Sequence, residues 1–416
     1  MRKSVFYVLV ILIIQSCSSQ NNDLSDWASD LDYISKSLPK KHNDFFVLKS
    51  KDYFLKGIQN IKSSTDSLSD LHISLKLQQL IAGMGDSHTK VHFRQFIDEN
   101  KVLPLDLYWF RDGLYILGTT PEHEEILGYR LIAINQRPIK TIIDSLNTLI
   151  TVDNQAIVKS TTPKLLPLVQ VLEYFNFFNG LQIDLGLEDM YGEKKSYSIK
   201  PALMENIKSF EPDTMAMCYK NNKTFFVDYY LPDDKIYYIQ YNKCWSKELE
   251  LKYRNGMGAA QMPSFKNFEE QVFHNLGTKQ IDKIVFDLRF NGGGNSSQGT
   301  SFIEKLARFA KMHPKKRIFV VLGKFTFSSA ILNAMDFKRL TNATFVGEET
   351  GGKPNHFGEI RNFKLPFSGL QVDYSTKYFK RTDQNDKSLI PDIKIESDFN
   401  DYKNGKDPVF EWIRVQ

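Results

Sequence analysis

The sequence predicts a multi-domain α/β protein with a helical N-terminal region, a β-rich middle and a C-terminal half in which strands and helices alternate. From residue 24 to about residue 93, apolar side chains recur at three- and four-residue steps, which is typical of amphipathic helices. From Leu103 the pattern changes to short strand-like runs separated by turn residues. The alternation of strand-like and helical stretches begins near Thr224. At about 150 residues per domain, 416 residues correspond to two or three domains.

Composition excludes several classes of function. Lys and Arg total 54 and Asp and Glu total 49, so the net charge of +5 is small for this length. No dense run of basic residues is present, so we expect no nucleic-acid partner. Three cysteines cannot form a disulfide framework, and none has the spacing of zinc ligands. We therefore expect neither a metal nor a cofactor.

The first residues predict export. Two basic residues precede an apolar run, Val5–Ile14, which is too short to span a bilayer but suits the core of a signal peptide. The sequence Ile-Gln-Ser-Cys that ends at Cys17 resembles a bacterial lipobox. This resemblance implies a signal peptide at 1–16, a lipid anchor on Cys17 and an exported lipoprotein at the outer membrane, on its periplasmic or surface face. The alternative is a plain secretory signal with an incidental cysteine.

The helical region extends over 17–98, and the β-rich region over 101–202. Within the latter, GYRLIAINQRPI resembles a strand and tight turn of PDZ domains, with Gln136 where glycine usually stands. We expect a PDZ-like domain with a helical insertion at Asn154–Phe178 and a closing strand at Lys194–Ile199. A generic β-rich connector is the alternative.

The last region, 210–416, contains three strand-like runs, IDKIVFDLRF, RIFVVLG and ATFVG, separated by helical stretches. Short links between them predict parallel strands with right-handed crossovers. Each of these strands is followed by a loop that contains candidate catalytic or oxyanion-binding residues.

A serine stands where the second of these strands turns into a helix. Ser328 at a helix start would lie among unsatisfied backbone amides, which suits a nucleophile whose product is an oxyanion. Simple capping by Ser328 or Ser329 is the alternative. The three glycines Gly292–Gly294 allow close backbone approach and could cradle an oxyanion. A phosphate site is less well supported, because no phosphate-binding glycine motif is present.

Two residues are candidate general bases. Lys353 follows two glycines and would need apolar surroundings to be neutral. His88, in a turn flanked by glycines, is the other standard base for a serine. A solvated lysine and a structural histidine are the corresponding alternatives.

Together these segments resemble the C-terminal processing (tail-specific) peptidases and the related tricorn core proteases. The strand motif D-L-R-x-N-x-G-G matches Asp287–Gly293, and the motif G-E-x-T-x-G-K matches Gly347–Lys353. The lysine that ends the second motif, Lys353, lies 25 residues after Ser328. The resemblance implies a crotonase/Clp-like catalytic domain. It also implies roles for individual residues: a nucleophile, Ser328; a lysine base, Lys353; and oxyanion donors on Gly292, Gly293 and Ser329.

The sequence departs from the family pattern around the nucleophile. Ser329 and Ile331 replace the usual alanine and glutamate, and Phe357 replaces a supporting glutamine. Ser87 and His88 are similar to the Ser-His pair of the tricorn core, where a late carboxylate also takes part, and Asp386 lies in the comparable region. We keep both bases and favour Lys353, because its spacing is unbroken.

The function expected from this resemblance is that of a serine endopeptidase acting on unfolded or C-terminally presented polypeptides. The alternative is a catalytically inactive lipoprotein of the same fold that binds peptides or apolar ligands. A hydrolase of small esters or amides would share the nucleophile.

Overall fold

The computed structural model describes residues 26–416, so the predicted signal peptide and the predicted lipid anchor at Cys17 lie outside the described residues. The α-helices are α1 Trp27–Lys41, α2 Lys51–Lys62, α3 Asp70–Ala82, α4 Ile139–Leu146, α5 Gln155–Leu165, α6 Val169–Tyr174, α7 Met217–Lys220, α8 Lys247–Tyr253, α9 Phe265–Thr278, α10 Ser296–Met312, α11 Ser329–Leu340, α12 Phe399–Lys403 and α13 Pro408–Arg414. Short 3₁₀ helices lie at Thr65–Ser67, Phe93–Phe96, Pro121–Ile126, Asn147–Leu149 and Ala259–Gln261. Over residues 26–416, no helix has both the length and the apolar character needed to cross a membrane.

The strands form three sheets. They are β1 Lys90–Val91, β2 Leu105–Phe110, β3 Gly113–Thr119, β4 Arg130–Ile134, β5 Arg137–Pro138, β6 Ile183–Glu188, β7 Lys194–Ile199, β8 Lys208–Ser209, β9 Phe226–Leu231, β10 Ile236–Tyr241, β11 Lys283–Asp287, β12 Arg317–Leu322, β13 Thr344–Gly347, β14 His356–Lys364, β15 Gln371–Phe379 and β16 Ile393–Lys394. The mixed α/β class predicted from the sequence is confirmed.

Helices α1 to α3 form the helical N-terminal region. The side chains of Asp26, Ser50 and Ser69 cap them by accepting a backbone N–H of the first turn. Their apolar faces pack on one another and on the antiparallel sheet β1-β15-β14, in a core that includes Leu77 and Leu370. The N-terminal helices and a hairpin from the C-terminal half therefore share one core.

The middle region is an antiparallel sheet in the order β2-β3-β4-β6-β7, with β5 and β8 at its side. Strands β4 and β5 meet at a tight turn in which Asn135 and Gln136 have φ values of 47° and 62°, as in hairpin turns with positive φ at both central residues. The helical stretch expected over 154–178 is two helices, α5 and α6. Pro167 lies between them and has no N–H with which to continue the helix.

The third sheet has the order β16-β13-β12-β11-β10-β9. Strands β10, β11, β12, β13 and β16 are parallel and β9 is antiparallel, which confirms the predicted parallel sheet. The carboxyl ends of parallel strands meet at one edge of a sheet, where α/β proteins bind ligands. The loops after β11, β12 and β13 therefore converge there, and they carry the glycines, Ser328 and Lys353.

Candidate active site

Ser328 lies at a strained turn between β12 and α11. Its backbone has φ 54° and ψ −124°, a conformation that non-glycine residues rarely adopt. The turn is fixed from both sides: the Phe327 N–H donates to the Asn291 carbonyl at 3.0 Å, and the Thr326 hydroxyl donates to the Leu288 carbonyl at 2.8 Å. Strain of this kind persists only where surrounding contacts impose it, and it is typical of functional sites.

The two serines of this turn differ in what they contact. The Ser329 hydroxyl donates to the Gly294 carbonyl at 2.7 Å and is buried. The Ser328 hydroxyl is half-buried, makes no capping hydrogen bond and has no hydrogen-bond partner among residues 26–416. Ser328 is therefore the serine whose oxygen is available for chemistry.

Backbone amides near Ser328 form a candidate oxyanion hole. Among the residues that the structure describes, the N–H groups of Gly292 and Ser329 have no acceptor. The N–H of Gly293, by contrast, donates to the Asn291 side chain at 2.8 Å. The sequence predicts Gly293 as an oxyanion donor as well, but in this structure its hydrogen is already used by Asn291. The role of Gly293 is steric, since a Cβ added to it would lie 2.9 Å from the Ser328 Cβ.

His88 lies against the nucleophile turn. Its ring stacks on Phe327, the residue before Ser328, with centroids 4.7 Å apart, and on His356 at 5.5 Å. The side chain is buried, and neither ring nitrogen has a hydrogen-bond partner within the described part of the chain. Burial lowers the pKa of His88 to about 4, although nearby Asp86 acts in the opposite direction. At neutral pH the imidazole is therefore uncharged and able to accept a proton.

Asp86 holds the His88 segment in place. Its carboxylate accepts the His88 backbone N–H at 3.0 Å and the Ser375 hydroxyl at 2.7 Å, and His42 Nε2 lies 3.0 Å from it. Burial raises the pKa of Asp86, but the hydrogen bonds from His42, Thr89 and Ser375 and the neighbouring His88 ring together hold it well below its usual range. Asp86 therefore remains ionised, with its Oδ1 3.9 Å from His88 Nδ1.

Lys353 lies near the same turn but pairs with a carboxylate. Its Nζ is 2.7 Å from Asp153 Oδ1, and the lysine side chain is only 14% exposed. We expected apolar neighbours that would favour a neutral lysine, and the structure instead places an acidic group there. Burial raises the pKa of Asp153, while Lys353 acts to lower it. The Lys353 ammonium group is therefore engaged by a carboxylate and is not enclosed by apolar side chains.

Three residues of this site were not predicted from the sequence. His356, which stacks on His88, also places its Nδ1 2.8 Å from the Lys353 carbonyl oxygen, and burial lowers its pKa. Asp86 precedes the Ser-His pair by one residue and could have been noticed there. Asp153 lies in a loop more than 170 residues before Ser328 along the chain, and no motif marks it.

Ser87 and Asp386, the two supporting residues implied by the resemblance to the tricorn core, lie in different parts of the structure. Ser87 is half-buried and lines a large cleft beside the nucleophile turn. Asp386 is exposed and lines a separate hollow of about 700 Å³ together with Arg339, Pro354 and Lys380. No hydrogen bond or ion pair joins Asp386 to His88 or Lys353 within residues 26–416.

The cleft beside the turn has a volume of about 970 Å³. Gly292 and three phenylalanines, Phe290, Phe325 and Phe327, form part of its wall. Its size is that of sites for ligands larger than a single amino acid. The candidate donor Gly292 and the turn that carries Ser328 thus face a space that can hold a peptide segment.

Comparisons with known proteins give information on the fold. No protein-family model matches the chain, and no curated protein matches it by sequence. Among solved structures, mature CPAF complexed with lactacystin is similar with a TM-score of 0.62 and 12% identity, covering 93% of this chain and 97% of that chain. Mature CPAF alone gives a TM-score of 0.60 with 12% identity, covering 93% and 96%. The tricorn protease gives 0.43 with 15% identity, covering 94% of this chain and 36% of that one.

The match to CPAF includes the helical N-terminal region, the β-rich middle and the α/β half in a single alignment. At 12% identity, this match shows a shared fold and does not show shared catalytic residues. The chain therefore has the fold of mature CPAF over nearly its whole described length.

Proposed function

We propose that the chain is a serine endopeptidase that cleaves unfolded or C-terminally presented polypeptides through an acyl-enzyme on Ser328. One observation carries the proposal: a buried, uncharged His88 stacks directly against the turn that holds Ser328, and neither of its ring nitrogens has a hydrogen-bond partner within residues 26–416. A buried polar group without a partner costs about 1–3 kcal/mol, so its presence needs a reason. Accepting a proton from the serine hydroxyl supplies one.

The reaction follows from the residues present. The Ser328 oxygen attacks the peptide carbonyl while His88 accepts its proton. The resulting imidazolium lies next to the ionised Asp86, which stabilises the positive charge. His88 then donates the proton to the leaving amine, which breaks the peptide bond and leaves an ester on Ser328. A water molecule, deprotonated by His88, hydrolyses this ester and restores the serine.

Two backbone N–H groups stabilise the negative charge that develops on the carbonyl oxygen. These are the N–H groups of Gly292 and Ser329, which have no acceptor in the part of the chain that the structure describes. Each donor of this type contributes about 3 kcal/mol of transition-state stabilisation. The Lys353–Asp153 pair serves in this mechanism as a fixed charge pair that supports the loop beside the nucleophile, and not as the proton acceptor.

The β-rich region has a part in presenting the substrate. Its sheet ends at β7, an edge strand with unpaired backbone groups, and its segment at Gly128–Ile139 resembles that of PDZ domains. Domains of this type bind an extended chain by adding it to a sheet edge. In this proposal the PDZ-like region captures a segment or terminus of the polypeptide, which then enters the cleft.

The test compares degradation of an unfolded protein by the full-length chain and by its Ser328→Ala variant, with Ser329→Ala as the matched control. Loss of cleavage in Ser328→Ala and retention in Ser329→Ala supports the peptidase. No cleavage by the wild type, with peptide binding intact, favours the inactive binding protein instead. Turnover of small esters without peptide cleavage favours the third possibility, a small-substrate hydrolase.

We propose that the protein is located at the outer membrane and is anchored there by a lipid on Cys17. The apolar run and the lipobox-like sequence before Cys17 support this. Several acyl chains bind a protein firmly to a bilayer. Expression of Cys17→Ala with fractionation and lipid labelling tests it, and a variant that stays membrane-bound and labelled contradicts it.

A further inference from the structure

One wall of the cleft beside Ser328 carries an excess of positive charge. Apart from His92, which pairs with Asp373 at 2.7 Å, the acidic and basic side chains that line the cleft are those of Lys90, Arg94, Asp106, Lys164, Lys223 and Lys324. Among the described residues, the lining thus contains one acidic side chain and five basic ones. Such an excess attracts anionic groups into a site that solvent screens only in part.

Most of these cations have no carboxylate partner. Lys324 is 3.4 Å from Glu348. For Lys90, Arg94, Lys164 and Lys223, no carboxylate lies within salt-bridge distance anywhere in residues 26–416. Glu99 and Asp106 interact with Arg94 and Lys223 only from beyond that distance, so the wall keeps an excess of positive charge.

The cations of this wall also lie close to one another. The Arg94 guanidinium donates to the Lys164 carbonyl oxygen, which brings both side chains to the same part of the cleft. Burial lowers the pKa of Lys164, and the positive charges of Arg94 and Lys90 lower it further. Like charges held together in this way repel, and a bound carboxylate relieves the repulsion.

The charged wall is next to the reacting groups. Lys164 Nζ lies 5.9 Å from the ring centre of Phe325, and that ring stacks on Phe290 at 6.1 Å. Phe290 leads directly into Asn291 and Gly292, and Phe325 is three residues before Ser328. A peptide whose carbonyl reaches Gly292 therefore extends past the cationic side chains.

We infer that this cleft selects polypeptide segments that carry carboxylates close to the scissile bond, and that Lys90, Lys164 and Lys223 determine this preference. The inference rests on the proposed peptidase function and names its substrate class. The carboxylate has two possible sources, an acidic side chain within the segment or a free C-terminus. Both offer the same chemistry to an ammonium or guanidinium group.

The experiment measures kcat/KM on matched peptides that differ only in charge. One set has Asp and Glu residues around the cleaved bond and the other has Asn and Gln, each prepared with a free and with an amidated C-terminus. Because partly exposed ion pairs are individually weak, three of them together predict about a tenfold preference for the acidic set at low salt. The preference shrinks as salt is added, because exposed charges are screened.

The triple variant Lys90→Gln/Lys164→Gln/Lys223→Gln is expected to lose this preference, so that acidic and amide peptides are cleaved within about twofold of each other. Lys311→Gln, which removes an exposed lysine of α10 outside the cleft, is the matched control and retains the preference. A preference that depends only on the free C-terminus identifies the terminal carboxylate as the source. Equal cleavage of all peptides by the wild type overturns the inference while the peptidase stands.

If the wild type cleaves none of the peptides, the peptidase proposal fails and the inference is decided by binding. Ser328→Ala protein is then titrated with fluorescent acidic and amide peptides. Tighter binding of the acidic peptide, abolished in the triple variant, keeps the cationic cleft as a binding site for carboxylates. Equal binding of both peptides rejects it.

Discussion

At the scale of single residues, the question is which group takes the proton from Ser328. A general base must be uncharged before the reaction. His88 satisfies this at neutral pH, because burial lowers its pKa to about 4. Lys353, by contrast, has its Nζ 2.7 Å from the Asp153 carboxylate and is already engaged in an ion pair. In the proposed mechanism His88 is therefore the base, although the spacing in the sequence favours Lys353.

Substituting each base tests this assignment. His88→Gln is expected to lower kcat about 10³-fold, the usual contribution of a general base. Lys353→Arg keeps a positive charge for Asp153 but cannot act as a base, because arginine is always protonated. It is expected to retain activity within about tenfold, since the ion pair remains. Steady-state kinetics on one peptide substrate measures both.

The opposite result would restore the lysine. Loss of turnover in Lys353→Arg, with only a mild effect of His88→Gln, means that a neutral Lys353 is required. Circular dichroism of each variant provides the control for folding. Asp153→Asn removes the carboxylate that pairs with Lys353 and leaves both candidate bases in place. It therefore tests whether the ion pair supports the loop without taking part in the proton transfer.

The pH profile gives an independent prediction at the same scale. A base with a pKa of about 4 is deprotonated above that pH and protonated below it. The value of kcat/KM is therefore expected to be level near neutrality and to fall tenfold per pH unit below about pH 4. An ordinary histidine would lose activity already near pH 6.5, and a lysine base would need alkaline pH. Ellipticity recorded at each pH separates unfolding from protonation.

At the scale of elements, the strained turn at Ser328 depends on a glycine of the neighbouring loop. Gly293 has φ 105°, and an added Cβ would meet the Ser328 Cβ at 2.9 Å and the Phe327 carbonyl oxygen at 3.1 Å. Gly293→Ala is therefore expected to displace the nucleophile and lower kcat about 10²-fold, since misplacement by about 1 Å has effects of this size. The same kinetic assay measures it.

The control for this substitution is another glycine. Gly277, in α9, has open space where a Cβ would be added, so Gly277→Ala is expected to leave kcat unchanged and to increase stability slightly. If Gly293→Ala retains full activity, the contact between the two loops does not position Ser328.

Elements were also the scale at which the sequence was most informative. The period of the apolar residues predicted α1 to α3, the parallel strands around β11 and β12, and the turn that places Ser328 at the start of α11. Long-range contacts were not predictable in the same way. Asp153 reaches Lys353 from the loop before α5, 200 residues earlier in the chain. No local pattern marks this contact, because it depends on how two separate loops meet.

At the scale of the whole molecule, the site depends on contact between the two ends of the chain. The loop after α3 supplies Asp86 and His88, whereas β14 and β15 supply His356 and Ser375, which contact those residues. The shared core between the N-terminal helices and this hairpin keeps the two groups together. Activity therefore depends on docking as well as on the residues that react.

Asp30 of α1 helps to hold the N-terminal helices against the β14–β15 hairpin. It is fully buried, and its two carboxylate oxygens accept the backbone N–H groups of Phe367 and Ser368, each at 2.8 Å, in the loop that joins β14 to β15. Asp30→Ala leaves both donors without an acceptor. Because hydrogen bonds to a charged group contribute more than neutral ones, the free energy of unfolding is expected to fall by about 2–3 kcal/mol. Urea denaturation measures this change.

Asp32, two residues further along α1, offers the matched comparison. Its carboxylate pairs with Lys62 at 2.7 Å but is 54% exposed, so Asp32→Ala is expected to change stability by less than about 1 kcal/mol. If docking of the helices positions His88, Asp30→Ala also lowers kcat while KM stays near its wild-type value, and Asp32→Ala changes neither. Equal stability and equal kcat in the two variants would mean that the hairpin holds His88 without help from the first helix.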